Sequence, residues 1–451
     1  MKITFLGATE TVTGSRYLIE HADKKVLVDC GLFQGPREIK ERNWQDFPIA
    51  PDSIDAIVLT HAHIDHTGYI PVLAKKGFKG KVYCSQGTYQ LCKILLKDSA
   101  FLQQEHAKKV NEAGYSRYKP ALPLYTVKDA EYALSLFHPI AYDFVITIGG
   151  LQIMLIQSGH ILGGSFVVIT DGKSKITFSG DLGRPDQMLM KEPAHLKETD
   201  YLVLDSTYGD RLHTHEDFVQ ELGLIIQKTV EKKGTLIIPS FAVGRAQVLL
   251  YALYQLKKQN KIPGIPIFLD SPMAISVTDL YCDFLDEHKL SAQECHKVFD
   301  VATYVRTVSE SKSLNHKHGP SIIIAGSGMA DGGRVLHHFA NTITNAKNTI
   351  LFVGYQADGT KGRMLLEDIP EIKIYGKYYP VRATIKNIAS LSAHADYHDI
   401  LTWLASIEKP PKKIFLTHGD VDSLKSLQEK IIQRFNWSVV VPKYTDTYSL
   451  D

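Results

Sequence analysis

Residues 61–66 read His-Ala-His-Ile-Asp-His and follow the apolar run Ile57-Val58-Leu59-Thr60. An apolar run this short reads as a buried strand. In extended chain His61 and His63, two residues apart, point the same way. Asp65 and His66, where the chain turns into a helix, point to a second position beside the first. One cluster can therefore serve two adjacent metal ions. Imidazole suits zinc, and carboxylate suits zinc or a harder ion such as manganese. The plainer reading, a strand-end loop of solvated His and Asp, does not account for four donors at this spacing.

The same pattern recurs downstream. Leu151–Gln157 leads to Ser158-Gly159-His160, and Lys175–Ser179 leads to Gly180-Asp181. Tyr201–Leu204 ends in Asp205-Ser206-Thr207-Tyr208-Gly209, and Lys413–Leu416 ends in Thr417-His418-Gly419. Taken singly, a His or Asp just past a strand is an ordinary cap or solvated residue. Together they supply two ligand sets: His61, His63 and His160 for one ion, and Asp65, His66 and His418 for the other. Asp181 is the natural bridge. Cysteine is absent from both sets, which suits an open hydrolytic site rather than a closed structural one.

Paired ions about 3.5–4 Å apart lower the pKa of a shared water and clamp attacking and leaving oxygens, which favours phosphodiester substrates. Asp65 and Asp181 thereby count as catalytic residues as well as ligands. A leaving oxygen also needs a proton. His394, in Ser392-Ala393-His394-Ala395-Asp396 before a helix, is the candidate general acid, and Asp205 can hold its tautomer. Asp29, at the end of Lys25–Val28, is an anchor for a loop or a ligand imidazole. The run Gly326–Gly333, between a strand and a helix, offers a nest of backbone N–H groups suited to phosphate, or simply a tight turn. The other thirteen histidines, among them His213, His215, His316, His318, His337 and His338, read as surface or core residues.

The elements that position these groups form two textures. Up to about residue 206 short strands dominate: Ile3–Leu6, Arg16–Glu20, Lys25–Val28, Asp55–Thr60, Val82–Ser85, Leu151–Gln157, Phe166–Thr170 and Lys175–Ser179. Helices are expected over Gly68–Lys76 and Thr88–Ala113. From 207 the chain alternates: helix Glu216–Lys232, strand Thr235–Pro239, helix Gly244–Asn260, strand Ile267–Leu269, a helix from Ala274, strand Ser321–Ala325, a helix from Arg334 and strand Ile350–Val353. That is the pattern of a doubly wound parallel unit inserted into the first domain. The expected organisation is a first domain over 1–206, an insert over 207–360 and a return to the first domain over 361–451, ending in the helix Leu424–Arg434.

At 451 residues the chain exceeds one simple domain, and 51 Lys and Arg against 49 Asp and Glu give a net charge of only +2. Global charge therefore does not argue for nucleic acid; any attraction comes from a local groove. Five cysteines, Cys30, Cys84, Cys92, Cys282 and Cys295, form no CxxC pair and no secreted disulfide pattern, as in a reducing cytoplasm. No apolar run approaches a signal peptide or a membrane span. A cytoplasmic protein is expected.

His61-Ala-His63-Ile-Asp65-His66, followed by His160 and Asp181, resembles the signature of the metallo-β-lactamase superfamily. Asp205-Ser-Thr-Tyr-Gly, Ser392-Ala-His394-Ala-Asp396 and Thr417-His418-Gly419 are similar to three further motifs of the β-CASP nucleases. So are Pro239-Ser240-Phe241-Ala242-Val243-Gly244-Arg245, Asp270-Ser271-Pro272-Met273, Ser327-Gly328-Met329 and Gly354-Tyr355-Gln356-Ala357-Asp358-Gly359-Thr360 of their inserted domain. The resemblance covers nearly the whole chain. It implies an αββα metallo-β-lactamase sandwich with an inserted Rossmann-like β-CASP domain and two Zn²⁺, or Mn²⁺, as cofactors. It also implies single-stranded RNA held in the cleft between the domains, with Ser240, Arg245, Ser327, Gly328 and Met329 touching RNA phosphates. By the same resemblance His418 ligates the second zinc, and His394 with Asp205 handles the leaving group. A histidine in the third motif goes with RNA-cleaving members, and the products are a 3′-hydroxyl and a 5′-phosphate. Without the N-terminal KH domains of archaeal relatives or a C-terminal extension like that of ribonuclease J or the polyadenylation endonuclease, the chain resembles the minimal bacterial form. No obligate protein partner is implied.

The expectation is thus an RNA endonuclease, with 5′ exonuclease activity compatible. Two other readings stand beside it: a small-molecule thioesterase or lactonase on the same metal core, and an inactive RNA-binding subunit. Every ligand position is filled here, which weighs against the last.

Overall fold

The computed structural model describes residues 1–114, 118–213, 217–317 and 319–451. His215, His318 and the expected helix start at Glu216 lie outside the described residues. Contacts divide the chain into two compact units, 1–212 with 394–451, and 213–393.

The first unit is built on two seven-stranded sheets. One runs in the order Thr447–Ser449, Lys2–Phe5, Tyr17–His21, Lys24–Val28, Ala56–Val58, Lys81–Cys84, Phe137–Pro139. The other runs Val439–Val440, Lys413–Thr417, Tyr201–Asp205, Lys175–Phe178, Ser165–Thr170, Leu151–Gln157, Ile146–Ile148. Alternate residues of the two sheets make one core: Ile3, Phe5, Val26, Val28 and Val58 from the first, Ile153, Leu155, Val167, Ile169, Phe178, Val203 and Phe415 from the second. The opposite faces are apolar too, so both sheets are covered by helices. Phe166, Leu202, Leu204, Ile414 and Leu416 pack under Tyr397–Leu404 and Val421–Phe435. Helices Ile70–Lys75, Gln86–Ala113 and Val127–Leu134 pack together on the first sheet's side.

Where neighbouring strands run parallel, their carboxyl ends come level, and this alignment positions the site. Val28 pairs with Val58, so Asp29 reaches the level of Leu59 and Thr60. Asp205 pairs with Thr417, which places His418 beside Asp205 although 213 residues separate them in sequence. The expected helix Gly68–Lys76 is instead two short ones, Ile64–Thr67 and Ile70–Lys75, broken around Gly68-Tyr69. Asp65 and His66 therefore ride on helix backbone.

The second unit carries a six-stranded sheet whose neighbours all pair parallel: Thr303–Tyr304, Ile267–Asp270, Ser321–Ala325, Thr235–Pro239, Thr349–Val353, Thr384–Ile388. Its four inner strands are near-continuous apolar runs, as burial on both faces requires. Residues 361–393 belong to this unit. Thr384–Ile388 is its edge strand, and a hairpin of Glu371–Ile374 and Lys377–Pro380 packs Ile372 and Ile374 into its core. One sequence reading is corrected here. Cys282 and Cys295 are joined as a disulfide, with Cα atoms 5.8 Å apart, because helices Pro272–Tyr281 and Ala292–Phe299 bring them together. Cys30, Cys84 and Cys92 are free and buried. Among the described residues no helix is long and apolar enough to cross a membrane.

Candidate metal centre

All nine residues that the sequence offered as ligands, proton donor and its partner lie in the first unit and converge at one edge of its sheets. His61 Nε2, His63 Nδ1, His160 Nε2 and an Asp181 oxygen form one set of four. The spacings are 3.1 Å for His61 to His63, 3.4 Å for His63 to His160, and 3.3 and 3.2 Å from Asp181 Oδ2 to His61 and His160. Donors 2.0–2.1 Å from one tetrahedral zinc stand about 3.3 Å apart, so the set fits that ion.

The second set is Asp65, His66 and His418. His418 Nε2 lies 3.3 Å from both Asp65 Oδ2 and His66 Nε2. Asp181 turns its other oxygen here, with Oδ1 3.2 Å from His66 Nε2. Asp181 is thus shared between the sets through separate oxygens. Its buried Oδ1 accepts no hydrogen bond among the described residues, and an orphaned carboxylate oxygen aimed at imidazole nitrogens fits a cation.

The outer hydrogen bonds fix which nitrogen of each ring is offered. Asp29 Oδ1 accepts from Thr60 N at 2.7 Å, and Oδ2 accepts from Thr60 Oγ1 and His66 Nδ1, both at 2.7 Å. With its proton committed to Asp29, the Thr60 hydroxyl can only accept from His61 Nδ1, 3.0 Å away. In the neutral ring of His61, and of His66 once it gives up its second proton, Nε2 is therefore the lone-pair nitrogen. Thr207 does the same for His418. Its hydroxyl lies 2.7 Å from Asp205 Oδ1 and 3.0 Å from His418 Nδ1. Left-handed backbone at Asp29 and His418, φ 56° for each, aims both side chains inward. Such strained conformations gather at functional sites.

His394 stands at the rim. Its Nδ1 is 3.0 Å from Asp205 Oδ2, and its Nε2 faces Asp181 Oδ2 at 3.8 Å. The charge balance separates the imidazoles. Burial pushes His61 well down and His160 to about 4, leaving neutral donors. Burial alone would also lower His66, yet Asp181 and Asp29 carry it up to about 10. Burial likewise opposes the charge on His394, but Asp181 and Asp205 outweigh it and raise that ring above its ordinary value. Asp181 itself is held well below the carboxylate range by His418, His61 and His66, against its burial.

Beneath the second set lies a residue the sequence reading missed. Arg16 is 3% exposed and donates Nε and Nη2 to the Gly31 carbonyl at 2.9 and 2.7 Å. Its guanidinium lies over Tyr69 and Phe33, 4.0 and 4.6 Å from their centroids. Gly31 in turn presses on the Asp65 carbonyl, 1.5 Å from where a Cβ would sit, so no side chain fits there. The aromatic cradle thus holds loop 29–32 under the helix that bears Asp65 and His66. Nothing local in the sequence marked Arg16, Thr60 or Thr207 for these tasks.

The residues read as phosphate contacts belong to the second unit. Ser240 N donates to the Ala325 carbonyl at 2.9 Å, joining the ends of two adjacent strands. Arg245 donates to the Val353 carbonyl. Gly328 lies against the Phe241 ring, and Ser327 and Met329 are half-buried beside it.

Two packed sheets flanked by helices, with His and Asp collected at the strand ends, define a metallo-β-lactamase fold. Family models match accordingly: the metallo-beta-lactamase superfamily over residues 11–232, the Beta-Casp domain over 246–365, and the Zn-dependent metallo-hydrolase RNA specificity domain over 378–442. Ribonuclease TTHA0252 of Thermus thermophilus is 34% identical over 457 residues, spanning 98% of this chain and 100% of that protein. Transcription termination factor FttA of Methanococcus maripaludis is 28% identical over 470 residues, 100% of this chain and 72% of that one. A crystal structure of a protein of unknown function from Enterococcus faecalis V583 covers 99% of both chains with a TM-score of 0.58 and 14% identity, a likeness of fold alone. The chain belongs to the β-CASP family of metallo-β-lactamase-fold RNA nucleases.

Proposed function

We propose that the protein is a metal-dependent ribonuclease that hydrolyses internal phosphodiesters of single-stranded RNA, leaving 3′-hydroxyl and 5′-phosphate ends. The observation that carries this is the joint presence of two ligand sets bridged by Asp181 and a protonatable His394 beside them. His61, His63, His160 and Asp181 would hold one zinc, and Asp65, His66, His418 and Asp181 the other. When bound, such a pair supplies Lewis-acid neutralisation of phosphate oxygens and an acidified water.

The chain's own residues account for the rest. Asp29, Thr60 and Thr207 present the correct ring nitrogens before any ion arrives. Asp205 accepts from His394 Nδ1 and keeps the Nε2 proton directed at the centre. As water adds to phosphorus and the P–O3′ bond breaks, His394 gives that proton to the departing 3′ oxygen. The ribonuclease name carried by the Thermus relative supports RNA as the substrate.

The test is to incubate the protein with 5′-labelled single-stranded RNA and matched DNA, with and without chelator, and to resolve the products by size. Internal RNA fragments that vanish with chelator and return with zinc or manganese are expected. Intact RNA from protein carrying two metals per chain would instead turn the assignment toward a small-molecule hydrolase.

A further inference from the structure

The hairpin of the second unit has two unlike faces. Ile372 and Ile374 are 2% and 0% exposed and join the core with Phe352 and Leu365, so the hairpin is firmly seated. Its other side carries Lys373 opposite Tyr378, with the ammonium 5.5 Å from the ring centroid. Tyr378 is 61% exposed and Tyr375, at the tip, 68%. Two large rings are thus left mostly in water on a well-anchored hairpin.

The turn sharpens the point. Ile374 pairs with Lys377, so Tyr375 and Gly376 are its two central residues, with φ of 49° and 82°. A turn with both φ positive favours Asn, Asp or Gly at its first position. Tyrosine there holds its backbone in the left-handed region, which side-chain-bearing residues adopt only under strain. The ring it displays is left mostly in solvent.

Charge complements the rings. From Glu371 to Ile388 the chain carries Lys373, Lys377, Arg382 and Lys386 against a single carboxylate, although the whole protein is only +2. All four cations are exposed, and none forms an ion pair among the described residues. Exposed rings interleaved with unpaired cations are what a flexible polyanion with flat bases needs.

We propose that this hairpin is an accessory binding site for single-stranded RNA, with Tyr375 and Tyr378 stacking on bases and Lys373 and Lys377 meeting phosphates. Naming the polyanion as RNA rests on the ribonuclease reading above. The hairpin engages unpaired strands only, because bases already stacked in a duplex expose no face to a tyrosine ring.

The test uses the full chain, chelator-treated so that nothing is cut, with a fluorescent single-stranded RNA oligonucleotide read by anisotropy. Tyr375→Ala and Tyr378→Ala should each weaken binding about tenfold. Tyr375→Phe and Tyr378→Phe should bind within about twofold of the parent, since stacking needs the ring and not the hydroxyl. Lys373→Ala should flatten the salt dependence by about 0.7 in log–log slope, one phosphate contact. Duplex RNA should bind all the tyrosine variants alike. Thermal melting of each variant checks that the hairpin still folds. Unchanged affinity in correctly folded alanine variants overturns the proposal, and leaves the surface to a protein partner. So does a parent chain that does not bind single-stranded RNA. Tyrosine-dependent binding without metal-dependent cleavage would sink the ribonuclease reading and leave the hairpin site standing.

Discussion

Each unit buries a carboxylate at the carboxyl end of a strand, and the two are treated in opposite ways. Asp270 ends Ile267–Asp270 and is fully matched. Its Oδ1 accepts from Arg334 at 2.5 Å, and its Oδ2 accepts from Ser311 at 2.5 Å and His338 at 2.6 Å. Asp181, just past Lys175–Phe178, meets no fixed cation; imidazole nitrogens surround it and one oxygen lacks a hydrogen bond among the described residues. A permanent guanidinium closes a buried carboxylate and makes it structural. Imidazoles, which can give up their protons, leave the other open to a cation. Similar strand-end geometry thus yields a strut in one unit and the proposed reaction centre in the other.

The sharpest way to break this contrast is to remove each acid in turn. Asp181→Ala should cost at least about a thousandfold in RNA cleavage and lower metal content, read by elemental analysis, while the fold persists. Asp270→Asn should do the reverse: metal stoichiometry stays, and unfolding free energy falls by about 3–5 kcal/mol, measured by denaturant titration. Equal metal loss in both would erase the distinction. His394→Ala should retain metal and lower turnover by about 10²–10⁴-fold, and a normal rate would refute its role as acid. Thr60→Val removes the acceptor that sets the His61 tautomer, and should weaken metal affinity by about 10–100-fold in a chelator competition.

The smallest effect is one of pH. Hydrogen bonds from His338, Ser311 and Arg334 hold Asp270 below its ordinary 3.8, outweighing its burial. The stability this gives is present above 3.8 and is lost as pH falls through the folded value. Acid unfolding curves should therefore be steeper for the parent than for Asp270→Asn.

Much of the centre was legible because its donors sit at fixed places relative to strands: His61, His63, Asp65 and His66 by local spacing, His160, Asp181 and His418 by following apolar runs. The supporting hydroxyls were not. Thr60 and Thr207 look like any strand-end threonine until parallel pairing brings Asp29 and Asp205 level with them. Arg16 simply opens the expected strand Arg16–Glu20, and only the approach of Phe33 and Tyr69 shows its guanidinium buried. The edge strand Thr384–Ile388 escaped notice because Lys386 and Asn387 give it a solvent face that resembles a loop. The Cys282–Cys295 bridge depends on how two helices meet, which no spacing rule conveys.

The pairing of Lys2–Phe5 with Thr447–Ser449, and of Asp205 with Thr417, also sets a timetable. On the ribosome the first 212 residues emerge with six of the seven proposed ligands, but the seventh, His418, and the proposed proton donor His394 follow the entire insert. A nascent chain therefore cannot bring together the residues of the proposed centre until the segment beyond the insert has been made.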